Sequence, residues 1–495
     1  MKTLLGACGA ALVLSFASIS SAGDPHFPPW GFDLAGRDTA VVPGNDFYAY
    51  ANGTYVKNLQ IPPDRSRYGN FDALQALSED RLHTLLDKAA ADSDPTSEAA
   101  KVGAFYRAFM DEKRVDALGA RPLAPEFAEI KAADSRAAIA ELMGKGSRSF
   151  FGGAFDADIG VDAKDPQHYA IYLGQGGLGL PDRDYYLEPS FAAQKTAYQA
   201  YVAQMLRLAD WPDADAQAAA IVDLETQIAK VSWTIAQERD PTKTYNPMTP
   251  DELAKAAPGF DWAAYLKGAD LDSAQRVVVA ESTAIPEIAK IVAATPIKTL
   301  QAWEAFDVAD SSAPFLSKDF VDARFQFRNK ILSGQQQLRP RWKRGVNIVG
   351  GNMGEAVGKL YVAAYFPADS KAKMEALVGN IRTALKGRIE RVAWMSDATK
   401  ARALQKLSML NVKIGYPSKW RDYTALQITD ADLYGDVERS AAFEWRRKVK
   451  RLGQPVDRTE WGITPQTVNA YYSPTRNEIV FPAAILQPPF FDMKA

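Results

Sequence analysis

Cysteine is almost missing from these 495 residues, its one copy being Cys8. An internal disulfide is therefore excluded, and so is thiol chemistry anywhere beyond residue 8. Histidine is nearly as scarce, with only His26, His83 and His168. No two of them stand at metal-ligand spacing, and no H-E-x-x-H occurs anywhere in the chain. Each of the three reads as a structural or surface residue. A G-x-S-x-G nucleophile elbow is absent as well. Past the first two dozen residues no apolar run reaches the length of a bilayer span. Charge of one sign is not in excess either. The 58 Lys and Arg against 60 Asp and Glu leave a net charge of −2, which provides no field for binding nucleic acid. There is no repeat of fixed period.

What is present is globular in composition. A hydrophobic fraction of 47% with 24% charged residues suits a folded chain long enough for two or three domains. Residues 1–22 form the exception. Lys2, an apolar run from Leu4 to Ala17 and the small residues Ser20-Ser21-Ala22 read as a secretory signal, with cleavage expected after Ala22. Export without cysteine points to a bacterial envelope or periplasmic protein that relies on its core alone.

Residues 23–45 read as an extended lead-in, and Asn45–Asn58 as a short helix followed by a turn at its Asn-Gly. A long helix is predicted through Phe71, Leu74, Leu77, Leu82 and Leu85. Helical patterns dominate the next three hundred residues. In "MTPDELAKAAPG", Thr249, Pro250 and Glu252 form a capping box and Pro258-Gly259 ends the helix. Met374, Leu377, Ile381, Leu385 and Ile389 mark an apolar stripe, and Ser396 or Asp397 caps the helix that follows. The glycine-rich Gly176–Tyr186 reads as a loop between helices. It is not a phosphate cradle, because it lacks the P-loop Lys-Ser/Thr and no strand-turn-helix unit is foreseen around it. Near the end, Val468, Tyr471, Ile479, Val480 and Phe481 flank a Ser-Pro-Thr-Arg-Asn turn and predict a hairpin. From the residues alone the chain is an exported, mostly helical protein with no visible catalytic centre.

Eight segments taken together carry further information. "PGNDFYAYANGTYVKNLQIPPDRSRYGNFDAL", "KVGAFYRAFMD", "GGLGLPDRDYY", "LETQIAKVSW", "RDPTKTYNPMT", "RPRWKRGV", "GEAVGKLYVAAYF" and "VNAYYSPTRNEIVFPAAILQPPFF" occur in this order over roughly residues 40 to 491. Together they resemble the neprilysin and endothelin-converting-enzyme family of zinc metallopeptidases, and the lack of cysteine resembles its bacterial PepO-type members. The resemblance implies a large helical lobe that closes over a thermolysin-like zinc lobe, and short peptides as substrates. The family's zinc is held by H-E-x-x-H and a later Glu, which this sequence does not contain.

The expected fold class is therefore mostly α: a large multi-helix lobe plus a partial α+β piece of the catalytic lobe, ending before the zinc helix. The expected domains are a signal at 1–22, a lead-in at 23–70, a helical lobe at 71–420 and a return into the catalytic lobe at 421–495. No metal ligand and no catalytic residue is assigned. The resemblance does imply substrate-binding roles. Asn469 and Ala470 match an edge-strand pair that bonds the substrate backbone. Ile485, Phe490 and Phe71 match contributors to a hydrophobic pocket on the primed side. Arg67 matches a basic residue facing the substrate's far end, where an Arg fork suits a carboxylate; a surface or inter-lobe salt bridge is the competing reading. Gln75 stands where some members carry a second Arg. Such a chain is expected to be inactive alone. It is either an incomplete product, half of a split enzyme whose zinc lobe is on another chain, or a peptide-binding module without catalysis. The hairpin is expected to leave an edge and an apolar face uncovered.

Overall fold

The computed structural model describes residues 33–92, 94 and 97–493. The predicted signal, Cys8 and His26 lie outside them. The described residues are 58% helical and carry twenty α-helices, so the chain is mostly α, as expected. No helix among them is long and apolar enough to cross a membrane. The chain divides into two compact units.

The smaller unit comprises residues up to Leu59 together with Leu486 onward. Its helix Phe47–Asn58 starts where the Asp46 carboxylate accepts the Ala49 N–H at 2.8 Å. The expected turn at Asn52-Gly53 is not there, because the helix runs through it. Gly53 is required by close approach: a Cβ there would lie 2.7 Å from the Asp38 Cβ.

The larger unit, Gln60–Ile485, holds two sheets. The first is built from β1 (Phe155–Val161), β2 (Tyr169–Gln175), β3 (Asn246–Met248) and β4 (Val277–Val279) in the order β1-β2-β4-β3. β2 pairs antiparallel with β1 and parallel with β4. Helical patterns dominate this stretch of the sequence; His168 marks a strand start, just where β2 begins, but the sheet itself was not foreseen. The central strands are short apolar runs covered on both faces, and such runs show no alternation to distinguish them from buried helix. The glycine loop accordingly follows strand β2 and enters the short helix Asp184–Leu187, rather than joining two helices.

Around this sheet pack the helices Ala192–Leu208, Ala214–Val231 and Ile297–Ser312, which share one core with Trp445 of the helix Leu433–Val449. The Trp445 indole also donates to the Ala269 carbonyl at 2.7 Å, so the late helix is fastened to the earlier ones by both packing and a hydrogen bond. The helices Arg136–Gly146 and Trp262–Gly268 cross at paired glycines. A Cβ on Gly144 would sit 2.0 Å from the Tyr265 carbonyl oxygen, and one on Gly268 would sit 2.1 Å from that of Glu141. The predicted capping box is formed, with Glu252 accepting the Thr249 N–H at 2.8 Å.

The second sheet contains β5 (Asn411–Gly415), β6 (Tyr471–Ser473) and β7 (Glu478–Pro482) in the order β5-β7-β6. The expected hairpin is β6–β7. Its β7 edge is covered by β5, which pairs with it in parallel and was not foreseen. The stripe on the helix Ala368–Arg391 is only partly core. Met374 is buried, whereas Leu377, Ile381 and Leu385 are exposed.

Candidate functional site

β6 is an outer strand of its sheet, bonded on one side to β7, and among the described strands none pairs with its other side. Asn469 and Ala470 lead directly into it. Asn469 is exposed, and its side-chain oxygen accepts the Ala470 N–H at 2.8 Å. Its own N–H donates to the Thr467 carbonyl at 3.0 Å. The carboxamide NH2 therefore remains as the outward donor, and the Ala470 amide is capped until that side chain rotates away.

Three interactions hold this segment at a fixed height. The Ser78 hydroxyl of the helix Asn70–Ala90 donates to the Gln466 carbonyl at 3.0 Å in a buried position. The Gln466 carboxamide in turn donates to the Gly354 carbonyl at 2.9 Å. The Ala484 N–H donates to the Pro465 carbonyl at 2.9 Å, which binds the turn Ala483–Ile485 to the same segment. Ile485 is buried on that turn.

Phe71 sits in the first turn of the Asn70–Ala90 helix and is 52% exposed. It stands two turns from Ser78, about 10 Å along the axis. Gln75 lies one turn further on and is also exposed, so the two share a face. Arg67 is exposed and has its guanidinium 3.7 Å from the Asp72 carboxylate, which Arg65 also approaches at 4.0 Å. Asn469, Ala470, Ile485, Phe71 and Arg67 thus belong to one unit, tied together through Ser78 and Gln466. Phe490 belongs to the smaller unit, on a turn where its N–H donates to the Gln487 carbonyl at 2.9 Å, and its ring is 41% exposed.

Sequence reasoning missed the ionic support beneath the strands. Glu478 is fully buried and meets Lys413 at 2.6 Å, with Lys413 itself 7% exposed. Lys413 also donates to the Glu460 carbonyl at 2.5 Å, and the Tyr471 hydroxyl reaches Glu478 at 3.2 Å. Burial pushes the Lys413 ammonium below its usual range, against the opposing pull of Glu478. Burial also raises the Tyr471 phenol. The signal was the strand period, which puts Glu478, Val480 and Pro482 on one inward face. An inward acid needs a partner, and "NVKIG" contains it.

The upstream wall has a similar support. Burial pulls the Asp64 carboxyl upward, but the Lys343 ammonium at 2.8 Å prevails and holds it below the usual range. Glu79, almost fully buried, meets Arg65 at 3.0 Å and Arg339 at 2.7 Å.

The residues present do not fit a zinc centre. Among the described residues no group of three or more His, Cys, Asp or Glu side chains is arranged to hold a metal ion. His83 stacks on Trp342 at 4.3 Å and lies 3.4 Å from Asp87. His168 lies at the entry to β2, 2.6 Å from Asp165. Neither has a second imidazole one turn away, as an H-E-x-x-H helix requires.

Fold, edge strand and sequence together define a member of a peptidase family. The chain belongs to peptidase family M13, the neprilysin-like zinc metallopeptidases: its N-terminal family model matches residues 43–417, and the peptidase model itself matches residues 469–495. Among curated proteins it is 30% identical over 485 residues to human endothelin-converting enzyme 1, covering 92% of this chain and 62% of the relative. It is likewise 30% identical to neprilysin-3 of Drosophila melanogaster, covering 93% of this chain and 62% of that protein. The chain thus spans less than two thirds of the length of these relatives. Among solved structures, the zinc metalloprotease ZMP1 of Mycobacterium tuberculosis in complex with an inhibitor superposes with a TM-score of 0.89 at 38% identity, over 94% of this chain and 71% of that one. PEPO from Lactobacillus rhamnosis shares the fold, with a TM-score of 0.82 at 24% identity over 92% of this chain and 73% of that one.

Proposed function

We propose that this chain supplies the helical lobe and one substrate-binding wall of an exported zinc metalloendopeptidase, and that by itself it hydrolyses no peptide. The outer strand β6, entered through Asn469 and Ala470, is the observation that carries the first part. An open strand edge takes an extended peptide through main-chain hydrogen bonds, and within the same unit the exposed Phe71 offers an apolar contact of the kind that selects side chains. Arg67 is the candidate for the peptide's far carboxylate and would have to exchange its Asp72 contact for it. The second part follows from donor chemistry. A zinc-polarised carbonyl and zinc-activated water need ligands, and the sequence contains no H-E-x-x-H.

Contact with a further folded unit, such as the family's zinc lobe, is favoured by the exposed Leu377, Ile381 and Leu385 on one helix face, with Trp394 78% exposed just beyond it. An apolar face of that kind suits another folded unit better than water. The segment 1–22 supports export to the bacterial envelope.

The test uses the purified 495-residue chain with a quenched fluorescent peptide, with and without added zinc. No chelator-sensitive cleavage is expected, while the same peptide made non-cleavable should bind and should lose affinity on Asn469→Ala. Stoichiometric zinc together with chelator-sensitive turnover would overturn the reading.

A further inference from the structure

The glycine loop Gly176–Arg183 roofs a cavity of about 320 Å³ inside the larger unit. Gly179 must lie flat on the core there, since a Cβ would stand 1.8 Å from the Tyr198 hydroxyl. Gly177, at φ +83°, passes over Trp303 in the left-handed region. The charges around the cavity can be accounted for one at a time. Glu225 accepts from the Tyr186 hydroxyl at 2.6 Å and from the Tyr198 hydroxyl and the Trp303 indole, each at 3.0 Å. Asp310 is held by Arg324 at 2.9 Å and Arg328 at 2.5 Å. Asp182 accepts the Asp184 N–H, and Glu238 accepts from the Gln175 carboxamide. The Arg183 guanidinium donates to the Ala229 carbonyl at 3.0 Å.

Among the described residues only Asp310 of these acids has an ion pair, and three others are the least satisfied by hydrogen bonds. Asp307 receives one hydrogen bond, from the Gly152 N–H at 2.5 Å. Asp156, exposed on β1, lines the cavity with no side-chain hydrogen bond or ion pair. Glu304 is only 6% exposed on the cavity wall and has none either. Glu304 and Asp307 sit three residues apart on one helix, where like charges repel. A buried, unpartnered carboxyl is among the costliest groups a fold can keep without a counter-ion.

We propose that this cavity binds a primary alkylammonium ion, as carried by a free polyamine or by a lysine side chain. Its volume holds roughly ten waters, or an aliphatic chain of about as many heavy atoms. Trp233, Trp303 and Phe306 give that chain apolar walls, and ring faces also attract an ammonium group. A bare metal ion is the poorer match. Among the described residues no three acidic groups converge to ligate one, whereas spread carboxyls suit a cation with its charges apart. Burial raises Glu304 well above the carboxylate range and Asp307 up to about 7, so each keeps its proton until a cation takes the proton's place.

The test is calorimetric titration of the full chain at low salt with two probes, spermidine and N-acetyl-lysine methylamide. Saturable one-to-one binding of either supports the site, and which one binds better identifies the source of the ammonium. Glu304→Gln and Asp307→Asn should each weaken binding by about tenfold or more, the loss expected for a hydrogen bond to a charged group. Both substitutions remove a repulsion, so neither should unfold the chain, and circular dichroism checks this. Asp182→Asn, at the rim but committed to its helix, should bind as wild type. The proposal is overturned if neither probe gives saturable heat at millimolar concentration. It is equally overturned if Glu304→Gln and Asp307→Asn bind like wild type, or if magnesium or calcium displaces the amine stoichiometrically.

Discussion

Replacing Lys413 by Met tests whether the buried ion pair sets the stability of the substrate edge. At 2.6 Å the Lys413–Glu478 attraction is roughly 6 kcal/mol at an effective dielectric of about 20. Arg476 already stands 3.8 Å from the same carboxylate and keeps that contact in the variant. The gross attraction is offset by the cost of burying the Lys413 ammonium, and the bond from Lys413 to the Glu460 carbonyl is lost with it. The net loss expected for breaking a buried pair is about 3 kcal/mol or more. A chain of this size need not unfold in one step, so the readout should be local. Hydrogen exchange of the amides from 469 to 482 should speed up about a hundredfold, with the helical body unchanged. The double variant Lys413→Met with Glu478→Leu should recover most of the loss, because the buried carboxylate is gone and Arg476 keeps its bond to the Glu460 carbonyl. The reasoning fails if the single variant exchanges within about threefold of wild type, or if the double variant exchanges as fast as the single.

Buried carboxyls should make the helical part more stable in mild acid. Burial raises Glu225, Asp307 and Glu438 to about 7, all above their unfolded values near 4. The folded state then holds more protons across that window, so the melting temperature should fall from pH 5 to pH 8, and Asp307→Asn should flatten the slope. Below pH 4 the sign reverses. Asp162, which is lowered to about 2 by hydrogen bonds from Tyr245, the Lys164 amide and Arg276 against the pull of burial, must then be protonated. Ser78→Ala leaves the buried Gln466 carbonyl without its donor, at a cost of about 1–2 kcal/mol. It should therefore weaken binding of a non-cleavable peptide at β6 while leaving the far-ultraviolet spectrum unchanged. Gly179→Ala forces a methyl group onto the Tyr198 hydroxyl and should cost about 1–3 kcal/mol, read as a lower melting temperature.

The sequence was legible where a local rule determined the structure. Thr249, Pro250 and Glu252 satisfy helix-start chemistry within four residues, and the capping box is there. The Ser-Pro-Thr-Arg-Asn turn between β-rich runs is the hairpin it announces. Non-local pairing was less visible. β5 lies more than sixty residues before β7, and nothing in "NVKIG" indicates which strand it will join. The start of β2 was legible at His168, but the buried β4 was lost among helices, since a strand covered on both faces shows no period of two. Of the candidate site, the residue identities were readable only through the family pattern. The contacts that fasten them, Ser78 to Gln466 and Lys413 to Glu478, join positions that no short window contains.

The helix Ala368–Arg391 shows what periodicity leaves open. Its apolar residues recur at helical spacing, and the usual inference sends such a stripe inward. Here one end of the stripe, Met374, together with Val378, faces the core, and the rest faces out. The pattern therefore records that one helix face is apolar, without recording what lies against it. Leu377, Ile381 and Leu385 are 43%, 57% and 44% exposed, too much for core and too regular for scattered surface residues. A chain selected to work alone would gain solubility by replacing them with Lys or Glu at no cost in packing. Leu377→Lys with Ile381→Glu is therefore informative. The pair should leave the stability of this chain within about 0.5 kcal/mol of wild type, as exposed substitutions do. It should also abolish complementation by a separately expressed zinc lobe. A large loss of stability without such a lobe would instead place those side chains in this chain's own core.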